Sequence, residues 1–208
     1  MTLLALEFSS DRRNVALARG GVVLAEAVQQ TESRTTDALG LIEKVLADAK
    51  VSREEIEVIA VGLGPGSYTG IRAAIAVAQG WQLARSVKLL GVSSVEAIAA
   101  QAQAEKIFGR VNMVVDAQRG EFYLGTWELS ADRRVELGPL KIVAAAEIAA
   151  LKNAGEICVG PEQSGFFPAA VMVARLAAGR GSFIAGEHLE PFYLRETAFL
   201  KPPPARVM

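Results

Sequence analysis

The 208-residue chain contains one cysteine, Cys158, and one histidine, His188. A disulfide framework, a Cys/His zinc site and a CxxC redox pair are therefore excluded within the chain, and so is a two-histidine metal site of the zinc-protease kind. A Ser-His-Asp triad would have to use His188, which has no nucleophile signature around it. Between Glu187 and Leu189 it reads as an exposed loop residue. Cys158, between Ile157 and Val159, reads as a small buried hydrophobe. An excess of one charge is also lacking. The 22 Lys plus Arg against 23 Asp plus Glu leave a net charge of -1, with no bulk basic field for nucleic acid. Every apolar stretch is broken by charge or glycine, so none reaches the roughly 20 residues of a membrane span. The opening MTLLALEFSSDRR lacks the basic start of a signal peptide, and Glu7 interrupts its apolar run. A reduced, cytoplasmic setting is the expectation.

With hydrophobic residues at 51% and charged residues at 22%, the chain has a globular composition, and its length suits one large domain or two small ones. Residues 3–8, 14–18 and 22–28 read as strands, the last two joined by a Gly20-Gly21 hairpin turn. From Thr35 to Ala49 the period changes to that of a helix, with apolar residues at Ala38, Leu39, Leu41, Ile42, Val45, Leu46 and Ala49. A strand over 56–63, a helix over 70–85, a strand over 87–92 and a helix over 93–103 follow. The second half repeats the order without repeating the sequence. It has strands at 111–116 and 121–129, a third within 135–143, a helix at 144–152, a strand at 156–160 and a helix at 168–178. Two βββαβα units packed together describe the actin-like ATPase (ribonuclease H-like) architecture, an α/β fold with two mixed sheets and a ligand cleft between halves. The expected division is 1–105, then a smaller 106–187, then a tail at 188–208 returning to the first half. Its proline-rich end KPPPARVM is expected to be extended.

In both halves the first strand ends in an acid, Glu7 and Asp116. Such a pair suits magnesium, which takes one or two carboxylates together with phosphate oxygens. Equally, a strand-end carboxylate can simply meet solvent and backbone N–H groups. The segment Gly62-Leu63-Gly64-Pro65-Gly66-Ser67-Tyr68-Thr69-Gly70 lies between a strand and a helix. Gly64, Gly66, Ser67 and Thr69 there could cradle an anion at the helix N-terminus, or the loop could be a tight structural turn. It is neither a Walker A loop nor GxGxxG in register. Pro65-Gly66 suits the centre of a type II turn, and Thr69 suits a helix cap. In the helix that follows, Ile71, Ala74, Ile75 and Ala78 form a stripe fit to face a sheet. Ala73, Val77, Gly80 and Ala84 form a second stripe of small or short residues. Glycine inside a helix costs about 1 kcal/mol relative to alanine, a cost that close approach of another helix would offset. Leu39 and Leu46 give helix 35–49 apolar surface beyond its Ala38–Ile42–Val45–Ala49 face. The two helices either form a subunit interface or are covered within the chain.

GLGPGSYTGIRAAIAVAQGWQLA followed by GVSSVEAIA resembles the signature of the TsaB family, also called YeaZ. LALEFSS at the start, DAQRGEFY in the middle and EPFYLR near the end extend the resemblance through most of the chain. The resemblance implies an actin-like fold without catalytic competence of its own. It implies a partner subunit of the transferase TsaD in making N6-threonylcarbamoyladenosine at position 37 of tRNA. TsaE would join that pair, TsaC would supply the threonylcarbamoyl-adenylate, and tRNA would be met only through the complex. It further implies a homodimer when alone, with helices 35–49 and 70–85 as the interface. It implies no cofactor of its own, ATP or ADP with magnesium being held where TsaD meets it. A peptidase (glycoprotease) label is rejected, since one histidine cannot build a two-histidine site. Some positions depart from the family pattern: Glu7 stands for Asp, Arg34 for His, Gly40 for Pro and Gln118 for Arg. The stretch from Gly160 to Pro168 is short, as if a strand were missing. The alternative class is a stand-alone actin-like ATPase or small-molecule kinase using Glu7 and Asp116. Against it, the turn Phe8-Ser9-Ser10-Asp11 has no glycine to bring N–H groups to a phosphate.

Overall fold

The computed structural model describes residues 1–30, 37–192 and 194. Arg34, the expected start of the first helix at Thr35 and the end of the expected tail lie outside them. Three strands open the chain as an antiparallel meander: β1 (Thr2–Glu7), β2 (Arg12–Arg19) and β3 (Val22–Gln30). Helix α1 (Ala38–Ala49) then crosses to β4 (Val58–Gly62), and α2 (Tyr68–Arg85) crosses to β5 (Lys88–Val92). Both β4 and β5 run parallel to β1, giving a five-stranded mixed sheet in the order β3-β2-β1-β4-β5. Helix α3 (Ser94–Ala104) leads into the second sheet, where β6 (Gly109–Asp116) and β7 (Glu121–Leu129) form its central hairpin.

The expected third strand of the second unit is two short ones, β8 (Arg134–Glu136) and β9 (Lys141–Ala144), both paired to β7. Gly138-Pro139 falls between them, and proline removes the N–H a continuous ladder would use. Helix α4 (Ala145–Asn153), strand β10 (Ile157–Val159), a single turn α5 (Pro161–Ser164) that the periodicity does not predict, and α6 (Ala170–Ala178) complete the order. Among the described residues β10 pairs only with β6, so no counterpart of β5 is found in the second sheet there. This is the actin-like, ribonuclease H-like architecture with an abbreviated second unit.

The layers follow from side-chain alternation. Leu4, Leu6 and Phe8 leave one face of the first sheet for α1 and α2. Leu3 and Ala5 leave the other face for α6. That second face carries the small residues Ala5, Ala16, Ala18 and Ala60 among Leu3, Val58, Leu90 and Val92. It meets Ala170, Ala174 and Ala177, so α6 can lie close to the strands. Helix α3 turns Val95, Ile98 and Ala102 to Val111, Met113 and Trp127 of the second sheet, whose opposite face is covered by α4 through Ile148. Helix α6 thus already lies on the first sheet, and the chain stays there beyond it, ahead of the tail expected from residue 188. Ile184 N–H donates to the Leu89 carbonyl, the Gln79 and Gln82 amides grip the backbone of Gly186, and Leu189 joins the first core. His188 is exposed, whereas Cys158 is only half-buried and its thiol is pushed up by burial. Among the described residues no helix is long and apolar enough to cross a membrane.

Candidate functional site

Two features stand out, a cleft of about 720 Å³ between the sheets and an uncovered helix face. Three segments enclose the cleft: the β1–β2 turn with Ser10, Asp11 and Arg13, the glycine loop with Gly66, Ser67 and Thr69, and the β6–β7 hairpin with Asp116 and Arg119. Glu162 at the start of α5 completes the wall.

The glycine loop bends at Pro65-Gly66, without the hydrogen-bonded type II turn that the dipeptide suggests. Gly66 has φ +148°, and a Cβ there would overlap the Ser9 carbonyl oxygen, which accepts from Ser67 N–H at 2.6 Å. Ser67, not Thr69, caps α2, its Oγ accepting from Gly70 N–H at 3.4 Å. Thr69 already lies inside the first turn of the helix.

Glu7 and Asp116 do not form a pair. Asp116 lines the cleft and accepts from the backbone N–H and side-chain amide of Gln118. Glu7 is 0% exposed and lies beneath the glycine loop. Its Oε1 accepts from Ser9 N–H at 2.8 Å, its Oε2 accepts from Ser94 Oγ at 2.8 Å, and that hydroxyl accepts from Gly64 N–H at 3.1 Å. Gly62 has no side chain because the Glu7 carboxyl occupies that space. Its role is to fasten β1, the loop and the start of α3 together.

Burial raises the Glu7 carboxyl above its ordinary value of 4.5, against the lowering effect of its Ser9 and Ser94 hydrogen bonds and of Arg13. Between the ordinary and the raised value the folded state holds the extra proton, so this group's contribution to stability declines as pH rises through that window. Glu7→Gln is expected to flatten the pH dependence of the unfolding free energy on the alkaline side of the ordinary value of 4.5, read by urea unfolding. An unchanged slope would mean that Glu7 titrates as an ordinary carboxyl.

The actin-like architecture implies a nucleotide with magnesium in this cleft, and the residues do not fit one. Glu7 is turned away from the cleft. Of the two strand-end acids, only Asp116 lines the cleft. The β1–β2 turn converges carbonyl oxygens on a cation: Arg13 Nη1 donates to the carbonyls of Phe8 and Ser10, and Nη2 donates to Ser67 Oγ at 2.9 Å. Phosphate oxygens would need N–H groups there. Burial, and then the charges of Asp116 and Asp11, push the Glu162 carboxyl up.

The second feature is the outer face of α2. Ile71, Ala74, Ile75 and Ala78 are buried against the sheet as the periodicity predicts. Val77 packs at the edge of the core and Ala73 is half-buried, while Gly80 and Ala84 are exposed. Among the described residues no atom of another segment lies within 4 Å of a Cβ built at Gly80. Leu83 is 89% exposed on the same face and Leu39 on α1 is 63% exposed. Leu46, expected outside, is 6% exposed and belongs to the core with Ile42 and Val45. Its neighbour Val51 turns back under the helix after the left-handed cap at Lys50, so the core extends beyond the predicted face. Sequence reasoning missed Leu83, which lies three residues after Gly80 on the outer stripe. It also missed Arg13, Ser94 and Glu162, whose roles depend on contacts distant in the chain.

The family model of TsaD, tRNA N6-adenosine threonylcarbamoyltransferase, matches residues 4–185. The Escherichia coli tRNA threonylcarbamoyladenosine biosynthesis protein TsaB is 27% identical over an alignment covering 99% of this chain and 100% of that one. YeaZ from Pseudomonas aeruginosa superposes with a TM-score of 0.78 at 26% identity, covering 93% of this chain and 99% of that one. A Pseudomonas aeruginosa protein described as similar to the peptidase YeaZ superposes with a TM-score of 0.80 at 25% identity over the same shares.

Proposed function

Because this chain belongs to the TsaB (YeaZ) family, we propose that it serves N6-threonylcarbamoyladenosine formation in tRNA as a non-catalytic partner subunit of the transferase TsaD. The observation that carries this reading is the face of α2 that the described residues leave uncovered, with Gly80 and Leu83 open, and Leu39 of α1 is exposed as well. An apolar face of small residues on a long, well-buried helix suits close packing of a partner helix. Alone, the chain pairs with a second copy through this face, and TsaD displaces that copy. TsaE joins the larger assembly, tRNA is met through the complex, and the setting is cytoplasmic.

The chemistry belongs to the partner. Glu7 is spent on fastening the glycine loop, so a magnesium-dependent ATPase or kinase built on Glu7 and Asp116 lacks its first carboxylate. The chain holds no nucleotide alone, and ATP or ADP with magnesium is held only where TsaD meets it. A peptidase activity has no support in a chain with one histidine, exposed beside Glu187.

The test is reconstitution of tRNA modification from purified TsaC, TsaD and TsaE, with and without this chain. Modification is expected to require the chain, and Asp116→Ala is expected to support it within about twofold of wild type, as for a residue outside the reacting atoms. Full modification without the chain would sink the reading. Magnesium-dependent ATP turnover by the isolated chain, lost in Asp116→Ala, would move the ATPase to first place.

A further inference from the structure

The floor of the cleft is a built cation seat, and the chain fills it itself. Arg13 is 3% exposed. Its guanidinium donates to the carbonyls of Phe8 and Ser10 on one side and to Ser67 Oγ on the other. Ser67 is the cap of α2. Gly70, in the first turn of α2, makes the room: a Cβ there would come within 2.7 Å of Arg13 Nη1 and 2.8 Å of Cζ, and would overlap the Phe8 carbonyl. A cation beside a helix N-terminus is unfavourable by itself, because that end of the helix is already positive. Here the carbonyls of Phe8 and Ser10 and the nearby charge of Asp11 work in its favour, against the cost of burial.

We propose that Arg13 is an internal brace, holding the glycine loop and the start of α2 onto the β1–β2 turn so that this part of the cleft is ordered without any bound ligand. In a two-lobed fold whose cleft ordinarily closes on an anion, the equivalent loops would be drawn together from outside. Here a forked guanidinium joins them from within, its Nη1 and Nη2 reaching acceptors on the two loops while Nε meets none among the described residues. The glycine at position 70 then seats an arginine and not a phosphate. The brace does not depend on TsaD, so it is tested on the isolated chain.

The experiment is amide hydrogen exchange across residues 66–72 in wild type, Arg13→Ala and Arg13→Lys. Arg13→Ala is expected to exchange about tenfold or more faster in this segment than wild type, with the core of β1 and β4 unchanged. Millimolar guanidinium chloride, compared with sodium chloride at the same concentration, is expected to slow that exchange again by refilling the seat. Arg13→Lys, which keeps the stem and charge but not the fork, is expected to fall between the two and covers the case in which the alanine variant does not fold. Wild type is expected to be indifferent to both guanidinium and magnesium-ATP. Exchange unchanged in Arg13→Ala, wild-type protection in Arg13→Lys, or slowing of the wild-type segment by magnesium-ATP would each overturn the proposal.

Discussion

Replacing Gly80 with leucine is expected to leave the isolated chain folded and at least as stable as wild type, while lowering its affinity for TsaD by about 100-fold. Stability should hold because Gly80 lies in the interior of an 18-residue helix and is exposed, with no atom of another described segment within 4 Å of a Cβ built there. Leucine enters that space without displacing anything. It also removes a backbone-entropy cost of about 1 kcal/mol that glycine imposes on a helix. The penalty falls on the complex, because a helix that closes against the small stripe of Gly80 and Ala84 would meet a branched side chain. Overpacking of that kind costs about 1–3 kcal/mol in a well-packed contact, the upper part of which corresponds to the stated loss. Thermal unfolding checks the first half, and calorimetric titration with TsaD, or sizing of the mixture, checks the second. A folded variant that binds TsaD as wild type does would move the interface away from this face. The same variant should also lose the homodimer, which connects the two assemblies to one surface.

Gly66→Ala is expected to have the opposite signature, a loss of about 3 kcal/mol in the isolated chain, seen as a fall in Tm of roughly 10 °C. Two costs combine. The φ of +148° is a conformation that side chains rarely adopt, and the new Cβ would overlap the Ser9 carbonyl oxygen. Relief requires the loop to lift from the β1–β2 turn, which breaks the Ser67 N–H bond to Ser9 and disturbs the Arg13 bond to the Ser67 cap. The start of α2 would shift with it, so TsaD binding should fall as a consequence of the loop's displacement. Urea unfolding and a thermal scan measure the effect. A loss below about 1 kcal/mol would mean that the loop can move at little cost and that its fit to the turn is incidental. Two glycines of one motif thus act for different reasons: Gly66 because the fold has no room, Gly80 because a partner is expected to need the room.

The division between sequence and tertiary structure follows the range of the interactions. Periodicity and turn chemistry are local, so β7 over 121–129, the Gly20-Gly21 hairpin and the buried stripe of α2 could be read directly from the residues. The αβ order of the first unit was readable for the same reason, and the wording of the glycine block identified the family. The third strand of the second unit was misread as one because neither β8 nor β9 is long enough to show alternation, and each is held by its pairing to β7. Leu46 was misassigned because an apolar residue on the edge of a helical stripe is buried or exposed according to the neighbouring chain, here Val51. Glu7 is the clearest case. A strand-end acid aimed at a cleft and one folded under a loop have the same local sequence. The choice was made by Ser94, 87 residues away, together with the absence of a side chain at Gly62.

By itself, therefore, the sequence determined which elements exist, their order, which helix faces the sheet, and the family to which the chain belongs. Those properties depend on side-chain pattern and backbone preference within a few residues. Only the tertiary structure decided that the two strand-end acids are not a pair, that Arg13 closes the floor of the cleft, and that none of the described residues covers the outer face of α2 at Gly80. Each of these depends on groups brought together from distant segments, where burial and hydrogen-bond satisfaction set the outcome.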